Sequence, residues 1–354
     1  MKQTNKTTSL MLGVATAALL ASPAAAGRPE RSGQTITPIF ENGTYGELTM
    51  SAVSPDLTGE TSGGADIDDV GDTYYGFGAA FKMDVDEQLS FGLIFDQPWG
   101  ADITYEEDPA YGIFSDSNTE WNSNAITALG RYKFGNGFSL YGGIRAESLE
   151  LEVNLPTAGA ENTIEKNTGF GYTVGAAYEV PARAARISLT YHSEVEHEAD
   201  VQLNGADNGD TTFTMPSSIN LEARTAINPT TVIFGSLRYV EWKALDIDVN
   251  LVGDLVDYED NTLHTSFGVG RAFSREWAGA VTVDYDPATD SPQSDLSPTD
   301  GKFGLGLAAT YTMDDTKITG LVKLLSIGDA DTNAGSDFQD NTTVAVGLKI
   351  ARSF

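Results

Sequence analysis

Three histidines, His192, His197 and His264, and no cysteine set narrow limits on the chemistry open to this 354-residue chain. Without cysteine there is no thiol nucleophile, no thiolate metal site and no disulfide. His192 and His197 lie an odd number of residues apart on one candidate strand, so they are expected to face opposite sides and not to share a metal. His192, Glu194 and Glu196 share a face in that reading, a pattern read here as a solvated strand end rather than a cation site. Asp66, Asp68, Gly71 and Asp72 suggest a calcium loop, but Val70 stands where a ligand is needed and Phe77 where the closing glutamate belongs. The run from Gly304 through Gly306 to Ala309 mimics a dinucleotide fingerprint inside a strand pattern with no helix after it, and is read as small-residue packing. No nucleophile–base constellation is present. Neither catalytic residues, nor a metal, nor a cofactor is expected, and the chain is read as not an enzyme.

The elements that carry these residues begin after a leader. Lys2 and Lys6, an apolar stretch over about 10–20 and the run Ala24, Ala25, Ala26 make residues 1–26 a secretory signal peptide. A membrane anchor helix needs roughly 20 apolar residues, and Pro23 interrupts this stretch. No later segment has about 18 consecutive apolar residues, which excludes a helical inner-membrane protein.

Alternating polarity recurs instead. It predicts strands near 45–54, 74–83, 88–96, 120–134, 138–153, 168–180, 185–197, 216–227, 230–245, 262–273, 277–285, 301–313, 316–325 and 342–354. In the last, Val344, Val346, Leu348, Ile350 and Phe354 fall on one face and Thr343, Gly347 and Lys349 on the other. The connections alternate between short (84–87, 135–137, 181–184, 228–229, 274–276, 314–315) and long (55–72, 97–119, 154–167, 198–215, 246–261, 286–300, 326–341). That rhythm, with aromatic residues near strand ends and a terminal Phe354, favours a membrane barrel over a soluble sandwich or propeller. The expected fold is therefore all-β: a transmembrane antiparallel up-and-down barrel of 14 strands over 45–354, with 27–44 as a short plug or hatch segment. The setting is the Gram-negative outer membrane, both termini periplasmic, among its lipid and lipopolysaccharide. The closing strand ending at Phe354 is the signal for the barrel assembly machinery.

The chain carries 51 acidic and 21 basic residues, a formal net charge of −30, which repels nucleic acid and excludes it as a partner. The seven long connections hold 31 of the acidic residues and a single basic one, Lys166. The acidity belongs to one rim, taken as extracellular loops.

A barrel of this strand number is too wide to be filled by its wall side chains, so it conducts water or is obstructed. Here the residues carry a resemblance. The run from Gly92 to Asp102, with Gln97-Pro98-Trp99-Gly100-Ala101 after an apolar strand, resembles the third strand of the long-chain fatty acid outer-membrane transporter (FadL) family. Met215-Pro216, the Leu237–Lys243 run with its Trp242, Val283–Pro287, Ser297–Phe303 and Val346–Ile350 fit the same family in order. The family's Asn-Pro-Ala element near the amino terminus is absent; only Ser54-Pro55-Asp56 stands nearby. The resemblance implies passive uptake of hydrophobic compounds, long-chain fatty acids foremost. Loops capture the substrate, an apolar lumen pocket holds it, and it leaves past a plug or through a kinked third strand.

Pro98 cannot donate to a ladder and Gly100 permits unusual backbone angles, so pairing should break there. Phe95, Pro98, Trp99 and Gly100 are therefore candidate ligand-binding residues. Arg131, Arg145, Arg186, Arg224 and Arg238 face the lumen when the apolar faces meet lipid. Most should brace carboxylates such as Glu147, Glu194 and Glu222; Arg131, Arg145 and Arg224 are the candidates for meeting a ligand carboxylate. Two other functions fit a barrel: a general hydrophilic porin, and a non-transporting surface protein such as an adhesin or receptor.

Overall fold

The computed structural model describes residues 28–249, 253–289 and 291–354; the expected signal peptide lies outside them. Fourteen antiparallel strands close into a barrel. They are β1 (Tyr45–Asp56), β2 (Tyr74–Asp84), β3 (Leu89–Asp96, resuming at Gly100–Thr104), β4 (Asn118–Lys133), β5 (Phe138–Leu155), β6 (Ala160–Val180) and β7 (Ala185–His192, resuming at Val195–Leu203). After them come β8 (Ala206–Met215, resuming at Ser218–Asn228), β9 (Thr231–Val240), β10 (Thr262–Ala272), β11 (Trp277–Asp286), β12 (Asp300–Met313), β13 (Thr316–Gly328) and β14 (Thr342–Ser353). Closure is made by β1, which pairs with β2 on one side and with β14 on the other from Tyr45↔Ser353 to Asp56↔Thr342. A closed sheet leaves no edge, the condition for strands to cross hydrocarbon.

The wall is inverted relative to a water-soluble fold. Lys82, Arg145, Glu147, Asp284 and Lys323 are buried in the interior, while Phe91, Ile144, Phe170, Phe267 and Leu307 stand exposed on the outside. Only a hydrocarbon surround makes that arrangement favourable, since each outward apolar side chain would otherwise remain in water. At the short-turn end, aromatic pairs mark an interface: Tyr132 with Phe134 at 5.1 Å, Phe138 with Tyr178 at 4.9 Å and Trp277 with Tyr311 at 4.9 Å between ring centroids.

Two segments expected to be loops are largely strand. Residues 154–167 contain only a tight turn, Pro156–Ala158 with Gly159 at φ +66°, before β6 begins. Residues 198–215 are the continuation of β7 and β8, joined at Asn204 and Gly205 with φ of +53° and +71°. Asn-Gly is the dipeptide that a two-residue hairpin turn demands, so the sequence carried that signal. At the same end, 57–73 and 329–341 join in a four-stranded sheet of two-residue pieces from Gly59–Glu60 to Asp337–Phe338.

The opposite facing expected of His192 and His197 is overturned. The break between the two pieces of β7 inserts Ser193 and Glu194; Ser193 N–H donates to the Tyr172 carbonyl (2.9 Å) and its Oγ accepts from Tyr172 N–H (2.8 Å). This irregularity resets the alternation, so both histidines are buried and Glu194 and Glu196 are exposed.

Candidate functional site

The site starts from the break in β3. The β2–β3 ladder runs from Asp84↔Ser90 to Ala79↔Phe95 and stops. On its other side β3 pairs with β4 as far as Asp96↔Ala125 and resumes at Gly100↔Asn122. Between them the chain turns into the lumen. The proline has no N–H for the ladder, and Ser123 captures the displaced backbone, its Oγ donating to the Trp99 carbonyl (2.7 Å) and accepting from Trp99 N–H (2.8 Å). The frame closes again further along, where Asp72 N–H donates to Asp102 O and Thr104 N–H to Val70 O. The result is an opening centred on 97–99 that on the β2 side reaches to Ala101, between Tyr74–Gly78 of β2 and Ser123–Asn124 of β4.

Residues 28–44 run through the lumen and lean on this break. Gly100 N–H donates to Pro29 O (2.9 Å), and Arg31 and Ser32 N–H both donate to Pro98 O (2.8 and 3.2 Å). Arg31 pairs with Asp102, and Ser32 Oγ donates to Asp96 (2.6 Å). Arg238 holds the same segment from the opposite wall, pairing with Glu30 and donating to Gln34 (3.2 Å). Further along, the turn Thr37–Phe40 sets Ile39 and Phe40 against Ile94, Leu129 and Tyr141. Gly92 makes room for it, since a Cβ there would lie 2.8 Å from Ile39 Cδ1. The Phe40 ring lies between the guanidinium carbons of Arg131 (4.5 Å) and Arg186 (4.1 Å).

Between this segment and the wall lies a cavity of about 210 Å³ that reaches the opening in β3. Phe77, Phe95, Phe234, Leu321 and Val346 line it beside Glu222, Arg224, His264 and Lys323. Two of the cations there are paired, Lys323 with Asp284 at 2.9 Å and Lys349 with Glu47 at 3.2 Å, and His264 Nδ1 is hydrogen-bonded to Asp286 at 2.5 Å. Arg224 forms no ion pair among the described residues, and its Nε has no hydrogen-bond partner. An uncommitted guanidinium beside apolar surface suits an amphiphile with one anionic end.

Residues 47–319 match the family described as outer membrane protein transport protein (OMPP1/FadL/TodX). The chain belongs to this family. Its β-barrels are outer-membrane proteins, which gives the inverted wall its lipid. Solved structures share the fold at low identity. A Pseudomonas aeruginosa FadL homologue matches with a TM-score of 0.71 and 15% identity over 89% of this chain and 91% of its own. The Pseudomonas putida toluene transporter TodX gives 0.67 and 13% over 96% and 98%. The Ralstonia pickettii toluene transporter TbuX gives 0.66 and 13% over 95% and 93%. No curated protein matches the sequence.

Within this member of the family, Phe95, Pro98, Trp99 and Gly100 cluster at the break, but only Phe95 lines the cavity. Trp99 turns inward and is fully buried, its Nε1 donating to Glu147 Oε1 at 2.9 Å and its ring edge-on to Trp242 at 5.1 Å. It belongs to an apolar cluster with Trp121, Leu151, Phe213 and Met215 that closes the lumen toward the long loops. Gly100 is needed because a Cβ would lie 2.3 Å from Arg31 Nε. Arg131 is committed to Glu179 and Ser139, and Arg145 to Glu147 (3.0 Å) and Asp96 (3.6 Å); neither reaches the cavity. Of the three candidate arginines, Arg224 alone faces the space a ligand would occupy.

Glu30, Arg31 and Gln34 escaped the sequence reading, because nothing local shows that an irregular segment will pair with a strand 60 or 200 residues away. At the long-loop end Arg28 is bonded to Gln293 and stacks on Tyr258 (4.3 Å). Burial lowers the Arg28 guanidinium below its ordinary value and pushes the Tyr258 phenol up to about 12.

Proposed function

We propose that the chain is a passive outer-membrane channel for hydrophobic compounds that carry a carboxylate, long-chain fatty acids foremost. Cargo enters from the acidic long-loop side, rests with its anionic end at Arg224, and leaves sideways to lipid through the break in β3. The observation that carries the reading is the wall opening between β2 and β4 with the mixed cavity directly behind it. Straight passage along the barrel axis is unfavourable for an apolar tail. The short-turn end, assigned to the periplasm, is filled by Phe40 between two arginines and ringed by the pairs Lys82–Asp84, Lys133–Asp84 and Lys349–Glu47. A tail crossing that ring gives up its apolar contacts, about 0.8 kcal/mol for each CH₂, whereas a lateral exit keeps it out of water.

Residues 1–26 serve as the signal peptide in this reading and 27–44 as the plug. Exposed Phe354, which directly follows the closing strand, supports recognition by the barrel assembly machinery. Aromatic hydrocarbons are the second cargo class, since several of the similar structures are described as toluene or monoaromatic hydrocarbon channels.

Uptake of labelled oleate and labelled toluene by a strain deleted for the gene and complemented with it separates these. Oleate uptake restored by complementation supports the proposal; restoration of toluene alone moves it to the second class, and of neither leaves a surface role. Purified protein in a planar bilayer should show little steady ion conductance. A large open-channel current would establish a hydrophilic porin instead.

A further inference from the structure

The opening in the wall is spanned by one side chain. Phe77 N–H of β2, left without a strand partner where β3 departs, donates to Gln97 Oε1 at 2.7 Å. From the same carboxamide, Nε2 donates to Asn124 Oδ1 on β4 at 3.4 Å. The Gln97 amide thus stands where the peptide group of an unbroken β3 would stand, accepting from the strand on one side and donating to the strand on the other.

We propose that the Gln97 carboxamide is a removable latch on the wall opening, and that cargo passes from the cavity to lipid only when it swings aside. The inference rests on the lateral exit proposed above. A backbone ladder cannot open at one peptide without moving its strand, but a glutamine side chain turns about its own torsions in picoseconds to nanoseconds when freed. A backbone N–H facing hydrocarbon with no acceptor costs several kcal/mol, so the closed wall needs an acceptor at this point. Gln97 supplies one without supplying a strand.

The surroundings suit a gate of this size. Gly76 and Gly78 flank Phe77, and a Cβ at Gly76 would lie 2.4 Å from Ser51 Oγ. The Phe77 and Phe95 rings, 5.8 Å apart, form an apolar lip on either side of the gap. Both rings and Gln97 line the cavity, so the latch lies between the space that holds cargo and the bilayer.

The test uses the full mature chain folded in lipid nanodiscs for hydrogen–deuterium exchange and in cells for uptake of labelled oleate. Gln97→Ala should speed exchange of the peptide carrying Phe77 N–H about tenfold or more and raise oleate uptake several-fold. Peptides of the β1–β14 seam should exchange as in the wild type, which shows that the barrel is folded. Gln97→Glu keeps the acceptor for Phe77 and should retain slow exchange there. Asn124→Ala cuts only the second bond and should raise uptake with a smaller change at Phe77.

Unchanged Phe77 exchange in Gln97→Ala would show that this side chain does not seal the wall. Reduced uptake with a folded seam would show that it guides cargo rather than bars it; either result overturns the latch. Faster exchange with unaltered uptake would instead sink the lateral exit, and the latch's role in transport with it.

Discussion

Replacing Trp99 by phenylalanine probes the joint that holds β3 turned inward. The indole is fully buried and its Nε1 donates to Glu147, a carboxylate that is itself only 1% exposed. Phenylalanine keeps most of the ring and removes that donor. A hydrogen bond to a charged group contributes about 1.5–3 kcal/mol, and the lost apolar area adds roughly 1 kcal/mol at 25 cal/mol per Å². Trp99→Phe should therefore destabilise the barrel by about 2.5–4 kcal/mol. Glu147→Gln reduces the same contact to a neutral bond of about 0.5–1.5 kcal/mol, so in that background Trp99→Phe should cost about 1–2 kcal/mol less. The double-mutant cycle is read by guanidinium chloride titration in detergent, with the folded fraction taken from the gel mobility difference between boiled and unboiled samples. That readout does not depend on the tryptophans being altered. Additivity within about 0.5 kcal/mol would mean the two groups do not interact, and the account of how the break is anchored would fail.

Arg224 and Arg145 should separate binding from bracing. Arg224→Ala is expected to weaken oleate binding about tenfold, roughly 1.4 kcal/mol, and to leave the unfolding midpoint nearly unchanged. Arg145→Ala strands Glu147 as a buried charge and should lower stability by about 3–5 kcal/mol; fluorescence titration and denaturation on the two variants check both. Asp295, in the connection between β11 and β12, has its carboxyl raised above the usual value by burial, and its Oδ1 has no hydrogen-bond partner among the described residues. A raised folded-state pKa means the folded state holds the proton more tightly, so this group's stabilising contribution is greatest below pH 3.8 and is lost as pH rises through the folded value. Asp295→Asn should thus raise the melting temperature by a few degrees at pH 7 and give no gain at pH 3; an equal gain at both would refute the titration.

What the sequence determined by itself was whatever is written within a strand. Period-two alternation fixes which face meets lipid, as in β14, and a proline's missing N–H fixes where β3 must break; these constraints act within a few residues. The 14 strands, the single outward apolar face and the break at Pro98 were legible for that reason. Tertiary structure decided what depends on barrel closure and stagger. The reset of alternation at Ser193 is stabilised by Tyr172 on the neighbouring strand, so His197 turned inward against the local pattern. Arg131, Arg145 and Arg224 look alike in sequence, yet two meet carboxylates and the third meets a cavity because the stagger sets what lies opposite each. The path of residues 28–44 was equally hidden, since it donates to the Pro98 carbonyl and accepts from Ser218 and Asn220, groups brought within reach only when the sheet closes.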